Sequence, residues 1–299
     1  MAAEASVTRM RGRNPHAPRP VPPASVPSMT STPASAAGID AGRAAALVDA
    51  LVADLVGPEV PGAVAAHRDL RRGPYAAALG PLVVPVSRMA GLLDALDADR
   101  ASEPLDLVLA ADRGLVEAAE ARAVLLDDDR VALLGLHVTL PTDGPLGDSA
   151  RLTLETLDFA LPAYVGVPDA PGWDDALAVL AEDGAEQALL ELSSRGPSAE
   201  HVAEVVVACV RHGLSFAVAG AAPTSYVGLL AATAAALDAR DAAQVAAVLL
   251  AQDPAVALAV LADADPHAVR RRITSIGTPD AAGTLAHLAD LGLALPLEA

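Results

Sequence analysis

Arg88, Asp112, Arg113, His137, Glu191 and Arg195 each stand in or just past the end of a short apolar run. Those are the places where a parallel sheet presents side chains to a ligand. Two arginines such as Arg88 and Arg113 could clamp a phosphate or carboxylate bidentately. His137 could act as a general base and Glu191 as a catalytic acid. Thr224 and Ser225 follow the sixth such run and Thr278 follows the seventh, where hydroxyls and amides could hold an anion. Asp112, His137 and Ser87 supply the residue types of a triad, but the strained Gly-x-Ser-x-Gly elbow is missing. Each residue also has a structural reading. Arg113 sits beside Asp112, a lone His in an apolar strand is usually a hydrogen-bonded core residue, and Glu191 could pair with an arginine across the mouth.

Composition removes several chemistries. All 20 basic residues of the 299 are arginine, so there is neither a Schiff-base lysine nor a P-loop lysine. The single cysteine excludes a disulfide framework and a thiolate zinc site. Cys209 falls on one stripe with Val202, Val205 and Val206, which reads as a buried small hydrophobe. No Gly-x-Gly-x-x-Gly marks a dinucleotide site, and the other histidines lack ligand spacing. Asp127, Asp128 and Asp129 read as a solvated loop between a helix and a strand. No metal is expected, and no cofactor is indicated. A net charge of −18 disfavours nucleic acid as a partner.

The side chains above need a scaffold, and the pattern supplies one. Residues 1–38, rich in Pro, Ser and Arg, lack any apolar period and read as a disordered tail. Its first 28 residues carry +3, leaving −21 for the remainder. A helical segment over 39–78 follows, with Leu47, Val48, Leu51, Val52, Leu55 and Val56 forming one stripe. From 79 to 299, strands alternate with amphipathic helices. The strands are Leu82–Ser87, Leu105–Ala111, Val131–Leu140, Ala163–Val167, Gln187–Leu192, Ser215–Ala219 and Arg272–Ile276. Strands apolar on both faces and separated by helices imply a parallel sheet covered on both sides. The expected fold is a parallel β/α barrel of the TIM type with an N-terminal helical extension. Closure needs eight strands and seven can be marked. Either the segment 228–264 hides one, the barrel is incomplete or seven-stranded, or the sheet is open and doubly wound, of which the barrel is favoured.

The uncharged run Leu214 to Leu237 is long enough to span a bilayer, but Gly220, Pro223, Thr224 and Ser225 interrupt it. It reads as strand, turn and helix, so no membrane partner is expected, and the expected address is cytoplasmic. The Ala- and Leu-rich helices over 228–262 are apolar around most of their circumference, as deep burial or a homo-oligomer interface would require.

The order of motifs resembles a family of uncharacterised actinobacterial proteins of about this length. The resemblance covers roughly residues 60 to 295. It rests on Leu79-Gly80-Pro81-Leu82-Val83-Val84-Pro85-Val86-Ser87-Arg88 and on Leu161-Pro162-Ala163-Tyr164-Val165 with Pro171-Gly172-Trp173. It also rests on Ala208-Cys209-Val210-Arg211-His212-Gly213-Leu214-Ser215-Phe216 and Ser275-Ile276-Gly277. Members of that family carry Lys-x-Arg-x-Gly-Gly after the expected fifth strand and Phe-Lys-x-Thr-Ala-Gly-Leu-His-His at the sixth. This chain has Glu191-Leu192-Ser193-Ser194-Arg195-Gly196 and Phe216-Ala217-Val218-Ala219-Gly220-Ala221-Ala222-Pro223 instead. The relatives' Gly-Phe-Leu-Asn appears as Gly228-Leu229-Leu230-Ala231. The resemblance thus implies a kept scaffold with a degenerate active site.

Two functional expectations follow. One is a non-catalytic barrel that binds a ligand or partner. The other is an enzyme acting on a small anionic metabolite through Arg88, Asp112, Arg113 and His137.

Overall fold

The computed structural model describes residues 39–99, 103–157, 161–183, 187–192, 197–251 and 253–294. The expected tail over 1–38 and Arg195 lie outside the described residues. The first half of the chain forms α1 (Ala41–Val48), β1 (Val52–Leu55), α2 (Val60–Arg71), β2 (Leu79–Pro85), α3 (Met89–Ala98), β3 (Leu105–Ala110), α4 (Leu115–Leu126), β4 (Val131–Thr139) and α5 (Leu146–Thr156). It continues with β5 (Ala163–Gly166), α6 (Trp173–Asp183), β6 (Gln187–Glu191), α7 (Ala199–His212), β7 (Phe216–Ala219) and α8 (Tyr226–Leu237). The chain ends in α9 (Ala242–Leu250), α10 (Pro254–Asp263), α11 (Pro266–Arg272), β8 (Ile273–Thr278) and α12 (Ala281–Asp290).

The eight strands pair in parallel in sequence order, and β8 closes on β1. The fold is a closed parallel β/α barrel, as the alternation predicts. The strand missing from the sequence reading is β1, which the stripe from Leu47 to Val56 absorbs into a helix. α1 stops at Val48, the chain turns through Ala50 at φ +48°, and Leu51, Val52 and Ala53 are buried. A short strand buried on both faces has no alternation to separate it from a buried helical turn. Residues 39–78 are therefore more than an extension, because β1 and α2 form the first βα unit.

Local signals set the other boundaries. Ser198 caps α7 by accepting from the His201 amide at 3.2 Å, and Gly213 ends that helix at φ +76°. Asp241 and Gln244 close a capping box at the start of α9. Asp253-Pro254 opens α10 as the sequence suggests. Thr278-Pro279 does not open the last helix in that way. β8 runs on through Thr278, and Asp280 caps α12 by accepting from the Gly283 amide at 2.8 Å.

The run Leu214 to Leu237 holds β7, a short turn and α8, and no helix among the described residues is long and apolar enough to cross a membrane. α8 is buried along nearly its whole length beneath α7, α9, α10 and α11. That burial accounts for the all-round apolar composition of α8, whereas Leu250 of α9 and Val256 of α10 remain exposed.

Candidate functional site

Strand alternation sends Ala53, Val83 and Val108 into the barrel, where they form a small apolar cluster with Leu55 and Ala110 packed on it. Above this plug, at the carboxyl ends of the strands, lies a cavity of about 340 Å³. Among the described residues its polar lining is Asp112, His137, Thr139 and Glu191, and the rest is apolar or backbone. Three expected site residues, Asp112, His137 and Glu191, therefore share one cavity.

His137 sits on β4 with Ala110 of β3 on one side and Tyr164 of β5 on the other. The Tyr164 ring meets it edge-to-face, with centroids 5.0 Å apart. Gly135, two residues earlier, leaves room for that tyrosine, because a Cβ there would stand 2.9 Å from its ring. Burial pushes the His137 pKa down to about 4, so the imidazole is neutral at physiological pH. No described residue hydrogen-bonds to its ring nitrogens.

Glu191 ends β6, and its Oε1 accepts a hydrogen bond from the Thr139 hydroxyl at 2.6 Å. Gly166 of β5 lies between them and gives the pair space, since a Cβ there would come within 3.1 Å of the Thr139 hydroxyl. Asp112 accepts from the Ser87 amide at 3.0 Å. Partial burial works against its ionised form. The Ser87 hydroxyl and amide, its own amide and Arg113 outweigh that and hold the carboxyl below the usual range.

The other candidates do not join this group. Arg88 ends a short turn over Val86–Arg88, and both it and Arg113 are exposed and line no part of the cavity. A residue three places past a strand end is free to turn outward, and these two do. The expected quartet therefore splits: Asp112 and His137 face the cavity, and the arginines stand outside it. Thr224 and Ser225 lie in the turn Pro223–Ser225, away from the cavity lining. Thr278 is fully buried and accepts from the Asp280 amide at 3.1 Å, so it faces the protein interior and not a ligand. Tyr226, which also follows β7, is spent on the Ile276 carbonyl.

Two features escaped the sequence reading. On the outer face of β1, Asp54 Oδ2 lies 3.5 Å from Nδ1 of His67, which α2 carries fully buried and without a hydrogen bond. No local spacing announces this pair. The second is a larger cavity of about 670 Å³ between the start of α4 and one face of α5. No group of three or more His, Cys, Asp or Glu that could hold a metal ion occurs among the described residues. Asp128 instead pairs with Arg130 at 2.7 Å, and Cys209 is buried, its thiol pushed up to about 12 by that burial.

No model of a known protein family, no curated protein and no solved structure matches this chain, so its function has to be argued from the geometry of the site alone.

Proposed function

We propose that this barrel is a non-catalytic binding protein whose mouth takes a small ligand carrying a positive charge. The carrying observation is the polar lining of the mouth. Among the described residues it offers two carboxyl groups, Asp112 and Glu191, and a neutral imidazole, with Arg88 and Arg113 turned outside. A cationic group suits that lining, and the acidic charge of the whole chain attracts it. Among the described residues, an anionic metabolite would meet carboxyl groups without a cation to clamp it.

The same geometry argues against catalysis. A nucleophile needs a base within hydrogen-bond reach, and that base needs a third group to orient it. Here Glu191 is engaged by Thr139 and Asp112 by Ser87, while His137 has no hydrogen-bonding partner among the described residues. The exchange of a lysine for Glu191, which the family resemblance implies, fits a mouth that has changed sign and lost its reaction.

Isothermal titration of the full chain with butylamine and with butyrate tests this reading. Butylamine should bind and butyrate should not, and Glu191→Gln should weaken the amine. Binding of butyrate, lost in Arg88→Ala or Arg113→Ala, would overturn the proposal in favour of the anionic-metabolite enzyme.

A further inference from the structure

The outer groove of about 670 Å³ lies in the size range of small-molecule sites. Its walls are Leu115 at the start of α4, Val138 of β4 and Leu152 of α5, with Pro141 and Pro145 from the connecting loop. The two helices that flank it make little contact with one another, whereas α5 packs closely on α6. Leu152 is 64% exposed on the groove wall, so an apolar surface stands open there.

Two observations tie this groove to the mouth and to a ligand. Ala111 and Thr139 line both cavities, so these two residues are all that stands between the spaces at that point. Thr139 is also the residue whose hydroxyl holds Glu191 at 2.6 Å. Ser149 and Thr153, one turn apart on α5, line the groove at 6% and 4% exposure. No described residue hydrogen-bonds to either hydroxyl. Neither hydroxyl oxygen is sealed from solvent, so both open onto the groove, where water or a ligand can hydrogen-bond to them.

We infer that mouth and groove form one elongated site, in which an amine head sits at Glu191 and an apolar chain runs past Thr139 between α4 and α5. This rests on the proposed reading of the mouth and adds the shape and class of the ligand. The charges on the groove fit the same polarity. Asp143 and Asp148 line it, and the nearby Arg151 is engaged with Asp148 at 3.1 Å. A fatty acid would bring a carboxylate to acids at both ends, whereas a chain amine meets apolar walls along its length. Ser149 and Thr153 can each satisfy a polar atom within that chain.

Titration of the full chain with butylamine, octylamine and octanoate, each below its micelle concentration, provides the test. Each buried methylene strengthens binding about fourfold, so octylamine should bind at least about tenfold tighter than butylamine, and octanoate should not bind. In Leu152→Gln, an exposed position, and in Ser149→Leu, which fills the groove, the octylamine-to-butylamine ratio should fall towards one. Circular dichroism shows that each variant is folded. Equal affinities for the two amines, or a ratio unchanged in both variants, would overturn the elongated site and leave the mouth reading standing. If neither amine binds, the mouth reading fails and the inference fails with it.

Discussion

The barrel wall is dressed very differently on its two sides. Beside β7 and β8, α8 is buried on all faces, with α7 along it and α9, α10 and α11 stacked against it as an additional layer. Beside β3 and β4, α4 and α5 stand apart, and Val116, Leu134 and Leu152 remain exposed. Both sides are rich in apolar residues, and Leu250 and Val256 stay exposed on the outer layer of the thick side, but only there is a whole helix covered. On the thick side the apolar surface of α8 is consumed inside the chain, and so α8 says nothing about partners. On the thin side apolar surface remains around a groove onto which the Ser149 and Thr153 hydroxyls open, a combination that suits a ligand. An apolar helix is thus evidence of binding only after the chain's own packing has been subtracted.

The largest expected effect separates the two sides directly. Leu230 in α8 is completely buried, so Leu230→Ala removes core contacts and leaves a cavity, at a cost of about 2–5 kcal/mol. Leu152→Ala removes the same atoms from a side chain 64% exposed and should cost less than about 0.5 kcal/mol. Urea unfolding of the two variants measures the difference. Similar losses in both would mean that the groove is closed in solution and that the contrast is false.

A smaller effect comes from His137, on the strand that serves both the mouth and the groove. Its folded pKa of about 4 lies below its ordinary value of 6.5, so the unfolded chain binds the proton first as pH falls. The neutral ring costs nothing above that ordinary value. Stability is then lost progressively as pH drops towards the folded pKa, by about 1–3 kcal/mol. Urea midpoints at neutral pH and near pH 4.5 should therefore differ less in His137→Gln than in the parent. An identical pH dependence in both would mean that the imidazole is freely solvated and that the mouth is wetter than its apolar walls suggest.

What the sequence shows and what it hides follow from the same packing. The strands β2 to β8 are legible because each is a short β-branched or leucine-rich run bounded by turn residues. β1 is hidden because Leu51 and Val52 continue the spacing of α1. The helical spacing of α5 is faint in the sequence because Ser149, Thr153 and Thr156 break its apolar stripe, and those are residues that line the groove. The feature that makes the groove a candidate site is therefore the one that obscured its helix. Within the mouth, the strand-end rule finds Asp112, His137 and Glu191. It fails for Arg88 and Arg113 because direction past a strand end is set by loop geometry. It fails for Thr278 because β8 runs two residues beyond its apolar core. The Asp54–His67 pair joins β1 to the helix that follows it, and nothing in the local pattern aligns them.

The smallest effects test whether the contrast extends to polar groups. On the thick side, Asp241 accepts from the Gln244 amide at 2.8 Å, and the Gln244 side chain accepts in return from the Asp241 amide at 3.1 Å. Losing that box in Asp241→Ala should cost about 1 kcal/mol, because α9 covers α8 and its first turn cannot fray without exposing it. On the thin side, Asp148 and Arg151 form an ion pair one turn apart at 3.1 Å, with both side chains more than half exposed. Water and salt screen such a pair, and Asp148→Asn should change stability by no more than about 0.5 kcal/mol. Its effect should appear in binding instead, since removing a carboxylate from the groove frees Arg151 and makes the groove less hospitable to an amine. A urea midpoint unchanged in Asp148→Asn, together with weaker octylamine binding, would place this residue with the ligand. A large stability loss would place it with the fold.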